Sequence, residues 1–207
     1  MRKLIVAAFT SLDGVMQAPG GPTEDTDGGF AFGGWVFPHW DDEVGDFMDG
    51  MFGPPFDLLL GRRTYDIFAG HWPRMPEDDP IGALFNRVTK YVVTSSPETL
   101  AWANSVALSG DVARDIAELK QSDGPGLLTQ GSSQLLHALF AHGLVDELRL
   151  LTFPVVLGAG KRWIHDGARP TGLSLVESRT SPSGVVMTVH RRDGAVPTGA
   201  FAGPDDA

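Results

Sequence analysis

Short apolar runs separated by stretches of helix length constrain this chain more than any other feature. Lys3-Leu-Ile-Val-Ala-Ala-Phe9 is the first. It has strand length and β-branched content, and its apolar residues do not alternate with polar ones, so the strand must be buried on both faces. Asp57–Leu60, Lys90–Thr94, Ser105–Ser109, Gly126–Gln130 and Glu147–Val156 read as further strands. Helical patterns lie between them. Over Trp40–Phe52, the residues Val44, Phe47, Met48, Met51 and Phe52 share one face. A short helix follows Gly61 towards Ala69, another covers Asp111–Lys120 with Asp111 as its cap, and another runs from Gln134 to about His142. His71–Pro80, with its three prolines, is expected to be a loop. Strands alternating with helices predict a three-layer α/β/α sandwich around a mostly parallel sheet. Leu173–Ser178 and Val185–Arg191, turning at Ser181-Pro-Ser-Gly184, add an antiparallel C-terminal hairpin. One domain over 1–192 accommodates all of these, and the small, acidic tail at 193–207 is expected to be disordered.

Several chemistries are excluded by what the chain lacks. It has no cysteine, so no disulfide framework, thiolate zinc site or cysteine nucleophile is available. His137 and His142 are five residues apart, the wrong spacing for a two-histidine metal helix, and His39, His71 and His165 stand singly. No metal is expected. A formal net charge of −10 opposes the approach of phosphate backbones, which argues against nucleic acid as a partner. The first apolar run is too short for a signal peptide, and no run approaches the ~18 residues of a membrane span, so a cytoplasmic protein without a membrane partner is expected.

Three strand-to-helix turns are candidates for chemistry. Gly131-Ser132-Ser133 opens a helix, where free amides attract phosphate and a glycine admits close approach; the alternative is a tight turn with a serine cap. Gly61-Arg62-Arg63-Thr64 sets arginines and a hydroxyl at a second turn, although a solvated basic turn would look the same. Thr94-Ser95-Ser96 closes a third strand and by itself is simply a turn. Each lies past the carboxyl end of an expected parallel strand, where open α/β sheets bind ligands. The Asp13–Gly34 segment, with seven glycines and two prolines, is either a functional lid or an insertion. Aromatic residues from Phe30 to Trp40, Trp35 among them, could stack on a flat heterocycle or plug the loop onto the helix.

In this order the motifs resemble the dihydrofolate reductase superfamily, in the branch that includes the reductase domain of riboflavin biosynthesis. The matching pieces are Ser11-Leu-Asp-Gly14, Leu60-Gly-Arg-Arg-Thr-Tyr65, Val93-Thr-Ser-Ser96, Thr129-Gln-Gly-Ser-Ser133, Gly143-Leu-Val-Asp-Glu-Leu148, Pro154 and Gly158-Ala-Gly160. The resemblance implies NADPH as hydride donor and a small pterin- or pyrimidine-like substrate. It implies that Gly61, Arg62, Arg63 and Thr64 hold cofactor phosphates, that Ser95 and Ser96 lie near the adenosine 2′-phosphate, and that the amides of Gly131, Ser132 and Ser133 cradle the pyrophosphate. It further implies that Asp13, Gly14 and Trp35 belong to a lid at the substrate. Folate enzymes carry a carboxylate on the first helix, which points to Asp42 or Glu43 as proton donor; the alternative is a first turn, with Asp41, that only compensates the helix dipole. The chain departs from the folate pattern at Gln130-Gly131, where two glycines are usual, and with no cysteine for its zinc site no deaminase partner domain is expected. A homodimer is expected from the resemblance. Other readings are a non-catalytic nucleotide-binding protein and a scaffold whose Leu148–Val156 strand pairs across a two-fold axis.

Overall fold

The computed structural model describes residues 1–200. Its eight strands are β1 (Leu4–Ser11), β2 (Phe56–Gly61), β3 (Lys90–Val93), β4 (Ser105–Leu108), β5 (Gly126–Gln130), β6 (Glu147–Phe153), β7 (Leu173–Thr180) and β8 (Val186–Arg192). They form one sheet in the order β4-β3-β2-β5-β1-β6-β8-β7, and only β8 runs against the rest. The helices are α1 (Asp42–Phe52), α2 (Arg62–His71), α3 (Pro80–Arg87), α4 (Val112–Gln121) and α5 (Ser133–Ala141).

The layers follow from the handedness of the crossovers. From β1 the chain steps one way, to β2, β3 and β4, and then it reverses, inserting β5 between β2 and β1 and going on to β6. Right-handed connections taken in opposite directions place their helices on opposite faces. Accordingly Val44, Phe47, Met48 and Met51 of α1, Tyr65 of α2 and Phe85 of α3 share one core. Ile116 of α4 and Leu135, Leu136 and Leu139 of α5 share the other. The strands feed both faces in alternation: Leu58 and Leu60 face the first core and Leu59 the second. Continuous apolar runs thus belong to strands covered on both sides. No helix among the described residues is long and apolar enough to cross a membrane.

The sequence reading needs several corrections. A helix, α3, starts where the proline-rich loop was expected to end. Pro80 takes its first position and Asp79 caps it by accepting from Gly82 N at 2.6 Å. β6 stops at Phe153 because Pro154 cannot donate to the ladder. β6 also lies between β1 and β8, so its backbone is closed to pairing across a two-fold axis; β4 and β7 are the edges. The first residues of the expected tail are bonded: Asp193 N donates to Gly172 O at 2.8 Å and Gly172 N to Gly194 O at 3.0 Å. The rest of that expectation, 201–207, lies outside the described residues.

Candidate active site

A cleft of about 1120 Å³ opens past the carboxyl ends of β1 to β5. Reversal of the crossover direction parts the connecting loops there, leaving a crevice. Its volume slightly exceeds the roughly 300–1,000 Å³ of ordinary small-molecule pockets. It has two unlike walls.

One wall is made of strand-end turns. Gly61 N, at the end of β2, donates to Ser132 Oγ at 2.9 Å. Ser132 can face that way because it is left-handed (φ 62°, ψ 55°), which turns its hydroxyl from its own helix to the neighbouring turn. No side chain therefore caps α5, and the orphan amides of its first turn remain available to an anion. Gly131 precedes it at φ 78°, and a Cβ there would stand 3.2 Å from Thr64 Cγ2 and 3.3 Å from its Oγ1. Glycine thus lets the β5 turn close against the first turn of α2. Arg62 extends the wall. Its Nε donates to both Asp66 oxygens, at 2.9 and 3.0 Å, and its Nη1 to Ser96 O at 3.3 Å and to Thr99 Oγ1. The turns after β2, β3 and β5 are thereby linked side by side.

The opposite wall is the Asp13–Gly34 loop, which is held by charge. Arg63 approaches Asp25 at 2.7 Å and Asp27 at 3.3 Å; Lys161 approaches the same carboxylates at 2.7 and 2.9 Å. Two cations and two carboxylates thus close a ring across the mouth of the cleft. The bond from Lys161, followed by the Lys161 and Arg63 charges, lowers the pKa of Asp27. Gln17 stitches the loop backbone by donating to Asp25 O and Asp27 O, both at 3.0 Å, and accepting from Lys161 N at 3.0 Å. At the root of the loop, Asp13 accepts from Ser11 Oγ at 2.6 Å, Leu157 N at 3.1 Å and Gly158 N at 2.9 Å. The Ser11 bond first, then the two amides, outweigh partial burial and bring the Asp13 carboxyl down to about 2. Trp35 is buried edge-on to Phe153, with Nε1 donating to Gln17 O at 2.8 Å.

Gly61, Arg62, Arg63, Thr64, Ser95, Ser96, Gly131, Ser132 and Ser133 all line this cleft. The other expected residues are elsewhere. Asp42 and Glu43 are exposed at the start of α1 and are not part of the lining. Their helix is fixed by Asp41, which accepts from Val44 N at 3.1 Å and from Ser183 N at 3.0 Å, and this contact with the β7–β8 turn sets the helix start aside from the cleft. Asp13, Gly14 and Trp35 also lie outside the lining, as anchors of the loop. The aromatic run is a plug only in part: Phe30 and Trp35 are core residues, while Phe32, Phe37 and Trp40 are exposed. Sequence reading missed Gln17, Glu24, Asp25, Asp27 and Lys161, all of which line the cleft. Acids within a glycine-rich loop were a visible signal for three of them. Lys161, 136 residues from its partner Asp25, had none.

The model of the RibD C-terminal domain family matches residues 2–187. Two uncharacterized proteins of Bacillus subtilis (strain 168) are similar. YyaP is 26% identical over 196 residues, 93% of this chain and 96% of its own length. YwjB is 26% identical over 189 residues, 91% and 97%. Among solved structures, a Shewanella sp. PV-4 protein whose name places it in riboflavin biosynthesis superposes with a TM-score of 0.61 at 17% identity, covering 92% of this chain and 99% of that one. Dihydrofolate reductase from Enterococcus faecalis, solved with NADP(H), gives 0.56 at 14% identity, covering 92% and 96%. At these identities the structural likeness is one of fold.

Proposed function

We infer the function from one premise: this chain belongs to the RibD C-terminal domain family. On it we propose an NADPH-dependent reductase that passes a hydride to a small pterin- or pyrimidine-like heterocycle. The observation that carries this reading is the joining of the β2, β3 and β5 turns along one wall of the cleft.

The residues present fit the cofactor. Gly131 keeps its turn free of a Cβ beside Thr64, and the uncapped first turn of α5 offers amides to an anion. Arg62 lies against the Ser96 turn, where a ribose phosphate would meet a guanidinium and hydroxyls together. When bound, NADPH supplies the hydride. The chain aligns donor and acceptor and keeps water out, tasks suited to an ordered wall facing a loop held by charge. Arg63 bonds loop carboxylates, so in this reading it serves a phosphate only by exchanging partners.

Titration with NADPH, followed by cofactor fluorescence, tests the proposal. We expect saturable binding that is lost on charge reversal at Arg62. Absence of binding at millimolar NADPH would sink it. A homodimer belongs to the same reading, with a dimeric mass in sedimentation equilibrium as the expected result.

A further inference from the structure

Reduction of a C=N or C=O bond needs a proton as well as a hydride, and the acids expected to provide it, Asp42 and Glu43, are outside the cleft. Among the described residues, no histidine lines it, and the lining carboxyls are Glu24, Asp25, Asp27 and Asp66. Asp25 and Asp27 are each held by Arg63 and Lys161. Asp66, 53% exposed, is clasped by Arg62. A carboxylate in contact with cations holds its charge and is a poor acid. Glu24 differs. Among the described residues its carboxyl makes no ion pair and accepts one hydrogen bond, from the amide of Gly20 to Oε2, which leaves Oε1 without a hydrogen-bond partner. Gly20 has no side chain to interfere: a Cβ there would stand 2.9 Å from Oε2, so glycine admits this close approach of the carboxyl to the loop backbone.

We propose that Glu24 is the proton donor of the reduction, its carboxylic acid touching the heteroatom of the acceptor. This rests on the cleft being the NADPH site. As hydride leaves the dihydronicotinamide for the carbon of C=N, the π pair moves to nitrogen and forms the new N–H bond with the Glu24 proton. The products are oxidised cofactor, reduced acceptor and Glu24 carboxylate, which regains a proton from water. The surroundings suit the task. Burial raises the pKa of Glu24; the Gly20 amide pulls against it, and the neighbouring Asp25 charge adds a lesser push upward. The ring cations Arg63 and Lys161 face Asp25 and Asp27.

The test follows the ¹³C-labelled Glu24 carboxyl by NMR, assigned with E24Q, in free protein and with saturating NADPH or NADP⁺. The oxidised ring is cationic, so a carboxyl touching the reacting atoms should titrate about 1 unit lower with NADP⁺ than with NADPH. Equal titration in the two complexes overturns the assignment of Glu24 and leaves the reductase reading intact; failure of either cofactor to bind overturns both. With 7,8-dihydropterin as acceptor, E24Q should lose on the order of 10²-fold in kcat and keep its NADPH affinity. Undiminished turnover by E24Q would also refute the proposal. The titration decides even if 7,8-dihydropterin is not an acceptor.

Discussion

The two walls of the cleft follow opposite principles. The turn wall is made of backbone and hydroxyls at the ends of β2, β3 and β5, so it inherits its rigidity from the sheet. Its β2 and β5 turns meet through neutral contacts, the Gly61 to Ser132 bond and the close fit of Gly131 to Thr64, and Arg62, paired with Asp66, ties in the β3 turn. The loop wall has no sheet behind its tip. Two cations and two carboxylates hold it at the mouth and Asp13 at the root, with the apolar anchors Phe30 and Trp35 beneath. A wall that need not move can be built from short-range fits, whereas a wall that must admit a ligand is better held by ion pairs whose cations stay partly exposed, the more exposed of them worth about 0–1 kcal/mol and weakened by salt.

The sharpest way to break this comparison is at Trp35. If the loop is anchored as a piece of the core, Trp35→Ala should cost about 3–5 kcal/mol in urea unfolding. A loss below about 1 kcal/mol would mean that the whole loop is a free lid. Gly131→Val tests the turn wall: φ 78° and the Thr64 contact both oppose a β-branched side chain, and we expect at least about a tenfold loss of NADPH affinity by fluorescence titration. Unchanged affinity would remove that turn from the site. Ser132→Ala leaves the Gly61 amide without its acceptor and should cost about 1 kcal/mol in thermal unfolding.

The remaining outcomes concern the loop alone. A carboxyl whose pKa is lowered on folding contributes stability above its unfolded value and loses it as pH falls through its folded one. For Asp13, with a folded value of about 2, the loop root should loosen between about pH 4 and pH 2, seen as faster amide exchange at Leu157 and Gly158. Smallest in energy, raising NaCl from 0.05 to about 0.5 M should speed proteolysis within 17–34 and leave the Gly131–Ser133 amides protected. Equal response of the two walls would end the distinction.

Much of the fold was legible because burial writes itself into local pattern. Gly126–Gln130 could be read residue for residue, since the turn residues Ser122–Pro125 before it and Gly131 after it mark both ends. Asp111 announced its helix as a cap, and Arg114 N donates to it at 2.8 Å. Helix α3 was missed because Gly82 and its short length weaken the periodicity. On the turn wall, Gly61–Thr64 and Gly131–Ser133 were visible as turns. On the loop wall the Asp13–Gly34 segment was visible as a candidate lid, but its ion-pair partners Arg63 and Lys161 were not, because they are far from it in the chain.

Sequence alone determined the alternation of elements, the two-faced burial of the strands and the strand-end positions of the phosphate-competent turns. Each depends on residues within a few positions of one another, where backbone preference and hydrophobic period act. Only the tertiary structure decided that β5 slides between β2 and β1, that β8 rather than β7 sits against β6, and which carboxyls reach the cleft. Strand order and side-chain direction are set by long-range packing, which no local window contains. For that reason the acids at the head of α1 turn away and Glu24 turns in.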